Sequence, residues 1–269
     1  MQAMADHTIP TGKQRQAAGW TLISLRPQGQ HAALRRAVAG LGGTTVALSP
    51  WRLQRLQGAP VLRQLQRALN CDRVVFTSPA AVAAAAALLP LAAAQRSPWL
   101  TVGEGTARAL QAQGIAEVHA PQRMDSEGLL ALPALGDVQG LRIGLVTAPG
   151  GRGLIAAQLQ AAGATIERAD VYQRRPLHLS RRTLARLARS EPPWLLAVSS
   201  GEALQRFWQQ LPPPWRQRLQ AQATAVVASE RLEELAQALG LARIARSAGP
   251  TAPQLVAAAH ATLTGPAAT

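Results

Sequence analysis

Short apolar runs alternate along this chain with stretches in which apolar residues recur at helical spacing, and turn residues separate the two. The clearest instance is Arg142 to Pro176. Ile143 to Val146 is long enough for a buried strand, and Pro149 to Gly153 is a Gly-rich loop. Leu154, Ile155, Leu159 and Ala162 then return at helical period. Gly163 stands where a helix C-terminus wants a residue free to take positive φ. Thr165 to Tyr172 is extended again and ends in a basic corner, Arg174-Arg175-Pro176, where the proline is expected to leave any ladder. Strand, loop, helix and strand make a βαβ unit. Such units predict parallel pairing, with ligands at the carboxyl ends of the strands.

The same alternation runs through the whole chain. Further strands are predicted at Trp20 to Leu25, Thr44 to Leu48, Asp72 to Phe76, Trp99 to Val102, Trp194 to Val198 and Ala223 to Val227. Helices are predicted at Gln30 to Leu41, Val61 to Leu69, Ala80 to Leu89, Ala107 to Gln113, Ser180 to Ser190, Gly201 to Gln210, Glu230 to Leu239 and Ala252 to Leu263. Ser49 to Pro60 reads as a polar connection, and Ser126 reads as the cap of the helix it opens.

The pattern also repeats. Gly42 and Gly163 close matching βαβ units at a step of 121 (163 − 42). Phe76-Thr77-Ser78-Pro79-Ala80-Ala81-Val82 matches Val198-Ser199-Ser200-Gly201-Glu202-Ala203-Leu204 at 122 (199 − 77). Val102-Gly103-Glu104-Gly105-Thr106 matches Val227-Ala228-Ser229-Glu230-Arg231 at 125 (228 − 103), and Ser126 matches Thr251 at the same step (251 − 126). One order and a nearly constant step identify an internal duplication.

Composition narrows the class. A chain of 269 residues, 48% apolar and only 16% charged, is globular and long enough for two cores. The single cysteine, Cys71, excludes an intrachain disulfide and a Cys-based metal cluster. Met1 to Trp20 lacks the apolar core of a secretory signal, and the Ala-rich run Ala80 to Ala94 is broken by Pro90 and too short for a membrane span. A cytoplasmic protein without membrane association is expected. The net charge of +14 raises nucleic acid as a partner, yet Lys13 is the only lysine among 28 basic residues and aromatics are 3%. That composition points to a biased genome, leaves too few rings for base stacking, and suits a polyanionic small molecule better.

Candidate chemistry lies at the carboxyl ends of the strands. Arg26 either faces the ligand crevice of a doubly wound sheet or is an ordinary exposed arginine. Helix capping explains one hydroxyl of Thr77-Ser78, but not the recurrence of a pair at Ser199-Ser200. Hydroxyls and N–H groups at such helix starts hold carboxylates. Gly103 to Arg108 lacks the third glycine of a dinucleotide fingerprint, leaving a tight turn that offers N–H groups and the Thr106 hydroxyl. Arg152, in a loop without a P-loop ending, can fork a carboxylate or sit in solvent. The basic residues of Ser180 to Ser190 read as a solvated face. His7, His31, His119, His178 and His260 form no metal spacing, and no zincin, Cys-x-x-Cys, nucleophile-elbow or kinase signature is present. Chemistry by positioning and hydrogen bonding, with no cofactor and no metal, is expected.

Together these segments resemble the uroporphyrinogen-III synthase (HemD) family from about Trp20 to Leu263. The resemblance is carried by Arg26-Pro27, Phe76 to Val82, Val102 to Ala107, Ser126-Glu127-Gly128-Leu129-Leu130, Val171-Tyr172 and Val226 to Gly240. It implies two similar three-layer α/β domains with parallel, flavodoxin-like sheets, joined by a two-stranded β-ladder. Residues 20–48 with 174–263 would form one domain and 50–171 the other, with flexible termini at 1–19 and 264–269. The implied reaction converts hydroxymethylbilane, a linear tetrapyrrole with eight carboxylates, to uroporphyrinogen III. Water is lost, the last ring is inverted through a spiro intermediate, and the substrate lies in a cleft between domains. No cofactor is implied; the lack of an extra hydrophobic stripe in the sequence predicts a monomer, with hydroxymethylbilane synthase as a transient partner. Tyr172 matches the family's cleft tyrosine, which would hydrogen-bond the departing hydroxyl. Arg26, Thr77, Ser78, Gly103, Thr106, Arg152, Ser199, Ser200 and Ser229 would contact substrate. Ala228-Ser229-Glu230-Arg231 departs from the family's Gly-x-x-Thr turn, and a two-lobed ligand-binding module without catalysis is the alternative.

Overall fold

A computed structural model describes residues 19–150, 153–190 and 192–264. The termini expected to be flexible fall outside these residues, apart from Gly19 and Thr264. The first repeat folds as β1 (Thr21–Ser24), α1 (Ala32–Ala39), β2 (Thr44–Ala47), β3 (Trp51–Arg55), α2 (Ala59–Leu69), β4 (Arg73–Phe76), α3 (Pro79–Ala86), β5 (Trp99–Thr101), α4 (Glu104–Gln111), β6 (Val118–His119) and α5 (Ser126–Leu130). The second follows as β7 (Arg142–Thr147), α6 (Leu154–Ala161), β8 (Thr165–Asp170), β9 (Tyr172–Pro176), α7 (Arg181–Ala188), β10 (Trp194–Val198), α8 (Gly201–Gln210), α9 (Pro213–Gln222), β11 (Ala223–Val227), α10 (Glu230–Ala238), β12 (Arg243–Arg246) and α11 (Ala252–Thr264).

These elements form two compact units. Unit 1 holds the described residues up to Pro50 and from Leu177 onward, and unit 2 holds Trp51–Pro176. Unit 1 has a parallel five-stranded sheet in the order β12-β11-β10-β1-β2, and unit 2 has one in the order β6-β5-β4-β7-β8. The two orders are identical when β1 and β2 are read against β7 and β8, and β10 to β12 against β4 to β6. The sequence duplication is therefore a duplication of topology. Each unit takes the opening βαβ of one repeat and the later strands of the other.

In unit 2, successive residues of one strand point to opposite sides of the sheet, and both sides are covered. Val74, Phe76 and Trp99 pack with Leu65 and Leu69 of α2, Val82 of α3 and Leu110 of α4. Val75, Leu100 and Ile143 pack with Leu129 of α5 and Leu159 of α6. Burial on both faces is what parallel strands require, and it explains their nearly unbroken apolar runs. Unit 1 follows suit. All residues of β1 and β10 are buried, and α1 and α11 cover one side through Leu34, Val38, Leu255 and Val256.

Beside the unit 2 sheet lies a two-stranded antiparallel ladder, β3 with β9, in which Trp51 pairs with Pro176 and Arg55 with Tyr172. Two expectations change here. The supposed polar connection contains strand β3, whose inward positions are only Trp51 and Leu53. So brief an alternation becomes a strand only because β9, distant in sequence, pairs with it. Pro176 also stays in the ladder instead of leaving it. It is the last paired residue, and the next ladder bond runs from the Leu177 N–H to the Pro50 carbonyl at 2.9 Å, so its missing N–H loses no bond. The cap of α5 differs too. Asp125 caps it, accepting from the Gly128 N–H at 2.8 Å, and Ser126 is the first helical residue. Strands β6 and β12 and helix α9 carry too few apolar residues to be seen in the sequence.

Two glycines are dictated by geometry. Gly163 follows α6 at φ 88°, a conformation other residues resist. Gly144, inside β7, lies under α2, and a Cβ there would strike the Ala68 carbonyl. Gly144→Ala is therefore expected to cost roughly 1–3 kcal/mol by overpacking. It would be read as a lower urea midpoint with unchanged slope; an unshifted midpoint would show that α2 does not press on β7.

Candidate functional site

The site is built where neighbouring strands lead away in opposite directions. From β4 the chain turns toward β5, and from β7 toward β8, so β4 and β7 part at their carboxyl ends and leave a crevice, the usual ligand position in open α/β sheets. Unit 2 has a cavity of about 210 Å³ there. It is lined by Thr77 and Ser78 after β4, by Thr147 to Gly150 after β7, and by Ser126, Arg168, Tyr172 and Arg174.

Each hydroxyl is placed by an identifiable local cause. Ser78 is extended and caps α3, accepting from the Ala81 N–H at 3.2 Å, with Pro79 pre-set for the first turn. Its Oγ also meets the Tyr172 hydroxyl at 3.1 Å. Tyr172 opens β9 and is 5% exposed, its ring within the apolar cluster of Phe76 and Val82. Thr77 donates to Thr147 Oγ1 at 2.8 Å across the β4–β7 pair. Arg168 donates to the Ala148 carbonyl at 2.7 Å and pairs with Asp170 at 2.9 Å, which ties the loop after β7 to β8. Arg174 lies over the Trp51 ring at 5.4 Å. No aspartate or glutamate is among the described lining residues.

The other candidates are not gathered in this cavity. Gly103 opens α4 and Thr106 is 4% exposed within it, one strand away at the end of β5. Arg152 lies outside the described residues. In unit 1, Ser200 caps α8, accepting from the Ala203 N–H at 3.3 Å, and Ser199 is exposed beside it. Ser229 is exposed at the start of α10 without a side-chain cap bond. Arg26 donates to the Pro250 carbonyl at 2.7 Å, and its Nε is buried with no partner among the described residues. Burial lowers its pKa.

Sequence reading missed Thr147, Arg168 and the cavity position of Ser126. Thr147 becomes visible only once β7 is known to lie beside β4. It also missed His31. This histidine is 4% exposed, with Nδ1 2.9 Å from Ser24 Oγ and Nε2 2.8 Å from Ser49 Oγ, joining the ends of β1 and β2. Burial, reinforced by Arg35, Arg26 and Arg186, pushes its pKa down from 6.5 to about 4.

The model of the family described as "Uroporphyrinogen-III synthase HemD" matches residues 32–257. The chain belongs to this family. Uroporphyrinogen-III synthase of Escherichia coli is 34% identical over 143 residues, and its Salmonella typhimurium counterpart is equally similar. That alignment covers 53% of this chain and 58% of each relative, so the chain spans little more than half the length of the curated relatives it matches. Two solved uroporphyrinogen III synthases share the fold. A mutant of the Thermus thermophilus protein has a TM-score of 0.62 at 18% identity, covering 90% of this chain and 97% of its own. The Helicobacter pylori protein gives 0.59 at 14%, covering 91% of this chain and 100% of its own. This chain itself has two α/β units and a short antiparallel ladder. Among the described residues, no helix is long and apolar enough to cross a membrane.

His31 couples the stability of the chain to pH. Its folded pKa of about 4 lies below the ordinary 6.5, so between these values the unfolded chain binds a proton that the folded chain does not. The His31 contribution is full above pH 6.5 and is lost as pH falls toward 4. Replacing it (His31→Gln) should reduce the slope of unfolding free energy against pH in that window by up to about 1.4 kcal/mol per pH unit. Urea titrations of both proteins at several pH values measure this, and parallel curves would refute it.

Proposed function

We propose that the chain closes hydroxymethylbilane to uroporphyrinogen III. The observation that carries this reading is the hydroxyl pair of Ser78 and Tyr172 at the switch point of unit 2, in a member of the HemD family. The two hydroxyls bring two protons to one mutual hydrogen bond. Whichever donates, one O–H remains to be offered to a ligand. We assign that proton to the hydroxymethyl oxygen, as a hydrogen bond that strengthens while the C–O bond breaks and charge gathers on oxygen. The electron pair leaves with the oxygen, and the pyrrole nitrogen shares the positive charge left on carbon. The last ring attacks that carbon, passes through the spiro intermediate and closes inverted. The proton it loses balances the one carried off in water.

Tyr172 suits this task because the ladder fixes its backbone and the apolar cluster holds its ring, so little motion is lost on binding. Thr77 and Thr147 form a second hydroxyl pair on the cavity wall, and the absence of acidic groups among the described lining residues favours a polycarboxylate.

The test generates hydroxymethylbilane in place, adds the protein, oxidises the products and separates the type I and type III isomers. Type III above the protein-free blank is expected; type I alone from folded protein would overturn the reading. Tyr172→Phe should lower kcat by about 10²-fold, the scale of a lost positioned proton donor. Ser78→Ala should lower the rate and also cost about 1 kcal/mol of stability through the lost α3 cap. Ser180→Ala removes the comparable exposed cap of α7, and should show the stability cost without the rate loss. Equal rate losses in the two cap variants would refute a chemical role for Ser78.

A further inference from the structure

We propose that Thr147, oriented by Thr77, holds a carboxylate arm of the same pyrrole ring whose hydroxymethyl oxygen meets the Ser78–Tyr172 pair. This inference rests on the synthase reading above and adds to it a residue that selects an acidic ring.

Four observations meet at Thr147. The first is the count of protons. Thr77 spends its O–H on Thr147 Oγ1 at 2.8 Å, so Thr147 accepts and keeps its own. Among the described residues nothing else bonds that hydroxyl, and Thr147 lines the cavity. The second is rigidity. Thr147 is the last residue of β7, and its carbonyl accepts from the Val171 N–H at 3.0 Å. The Thr77 N–H in turn donates to the Val146 carbonyl at 3.2 Å. Both backbones are therefore fixed, and a β-branched side chain has few χ1 choices. The hydroxyl is placed before the ligand arrives, which cuts the ordering cost of binding.

The third is charge. Asp170 lies beside Thr147 in the β7–β8 register, where a bare carboxylate would repel an anion. Arg168 covers it, with Nε at 3.0 Å and Nη2 at 2.9 Å from Oδ1. No described lining residue is acidic, so an anion meets a wall that offers donors. The fourth is spacing. Thr77 and Ser78 are consecutive, so the two hydroxyl pairs hang from Cα atoms about 3.8 Å apart. Each pair keeps one O–H beyond its mutual bond. One pyrrole presents acceptors on the same scale, because its hydroxymethyl group and the nearer carboxylate arm sit on adjacent carbons. At about 210 Å³ the cavity is smaller than the roughly 300–1,000 Å³ that encloses a drug-sized ligand, so it takes one such ring and not four.

The experiment uses the full chain and two probes, a monopyrrole carrying one acetate and one propionate arm and the dimethyl ester of the same compound. Calorimetry measures the binding of each to the wild type, Thr147→Val and Thr147→Ser, with urea unfolding as the check that each variant is folded. Valine matches threonine in shape but has no hydroxyl. Thr77 then turns to the Val146 carbonyl, 3.5 Å from its Oγ1, and is not left without an acceptor. The wild type should bind the diacid about 10- to 100-fold more tightly than the ester, the scale of one hydrogen bond to a charged group. Thr147→Val should lose about 10-fold in diacid affinity and leave the ester unchanged. Thr147→Ser, which keeps the O–H, should restore the wild-type ratio. A merely structural role for Thr147 would weaken both probes together in Thr147→Val and preserve their ratio, and that result overturns the proposal. So does a serine variant that fails to restore the ratio, or wild-type protein that binds neither probe or binds both equally. The outcomes also separate from those of the isomer assay. Type III formed without discrimination between the probes removes this inference alone. Discrimination that depends on Thr147, in a protein yielding only type I, removes the synthase reading and leaves Thr147 as a carboxylate-binding residue.

Discussion

The pairing of β4 with β7 is the constraint on which the site depends. These strands come from different repeats, and their register sets Phe76 beside Val146, so the next residues, Thr77 and Thr147, meet across the pair. Because the chain leaves the two strands toward opposite edges of the sheet, a cavity opens beyond their ends. Every other feature of the cavity is fitted to that opening. The α3 cap brings Ser78 to its rim, β9 brings Tyr172 and Arg174, and Arg168 ties down the loop after β7. The close approach of α2 at Gly144 belongs to the same constraint, since it seats β7 against the helix that precedes β4.

Unit 1 repeats the constraint with different chemistry. Its central pair is β1 with β10, and Ser24 lies beside Ala197. Arg26 follows β1 and Ser199 follows β10 at the sequence positions that match Thr147 and Thr77 in unit 2. Where unit 2 joins two hydroxyls, unit 1 turns an arginine toward the Pro250 carbonyl. The neighbouring strand ends are closed by His31 between Ser24 and Ser49. A buried imidazole kept neutral among arginines makes a rigid, uncharged tie, and the cost of desolvating a charge is avoided at neutral pH. The duplicated frame thus carries an open, donor-rich crevice in one unit and a tied-down corner at the matching place in the other.

Much of this was legible in the sequence, and the limits are physical. Alternating apolar runs and helical stretches revealed the parallel strands, because strands buried on both faces leave unbroken apolar runs such as Trp194 to Val198. The near-constant step from Thr77 to Ser199 and from Gly42 to Gly163 revealed the duplication. The ladder was legible only through family resemblance, since two inward residues in β3 give no periodic signal of their own. Of the residues that line the cavity, Thr77 and Ser78 were singled out because their motif is local and Tyr172 through the family resemblance, whereas Thr147 and Arg168 were not, because their place in the cavity exists only after distant strands pair. His31 was passed over for a related reason. Its partners, Ser24 and Ser49, lie on either side of it in sequence and meet it only when β1 and β2 align.

The arrangement of the repeats bears on how the site holds its shape. Each unit combines the βαβ of one repeat with the later strands of the other, so β4–β7 and β1–β10 both join residues far apart in the chain. Such contacts form late and at a large entropic cost, so neither crevice can be assembled from one repeat alone. The chain must then cross between the units, and it does so at Pro50–Trp51 and Pro176–Leu177, with Trp51 and Pro176 themselves paired. Two prolines at those junctions restrict the backbone where the ladder ends. The same ladder carries Tyr172 and Arg174, on the face that lines the cavity, and Trp51, on which Arg174 rests. Connection and site are one element, and a change that loosens the ladder register would move the phenol and the guanidinium together.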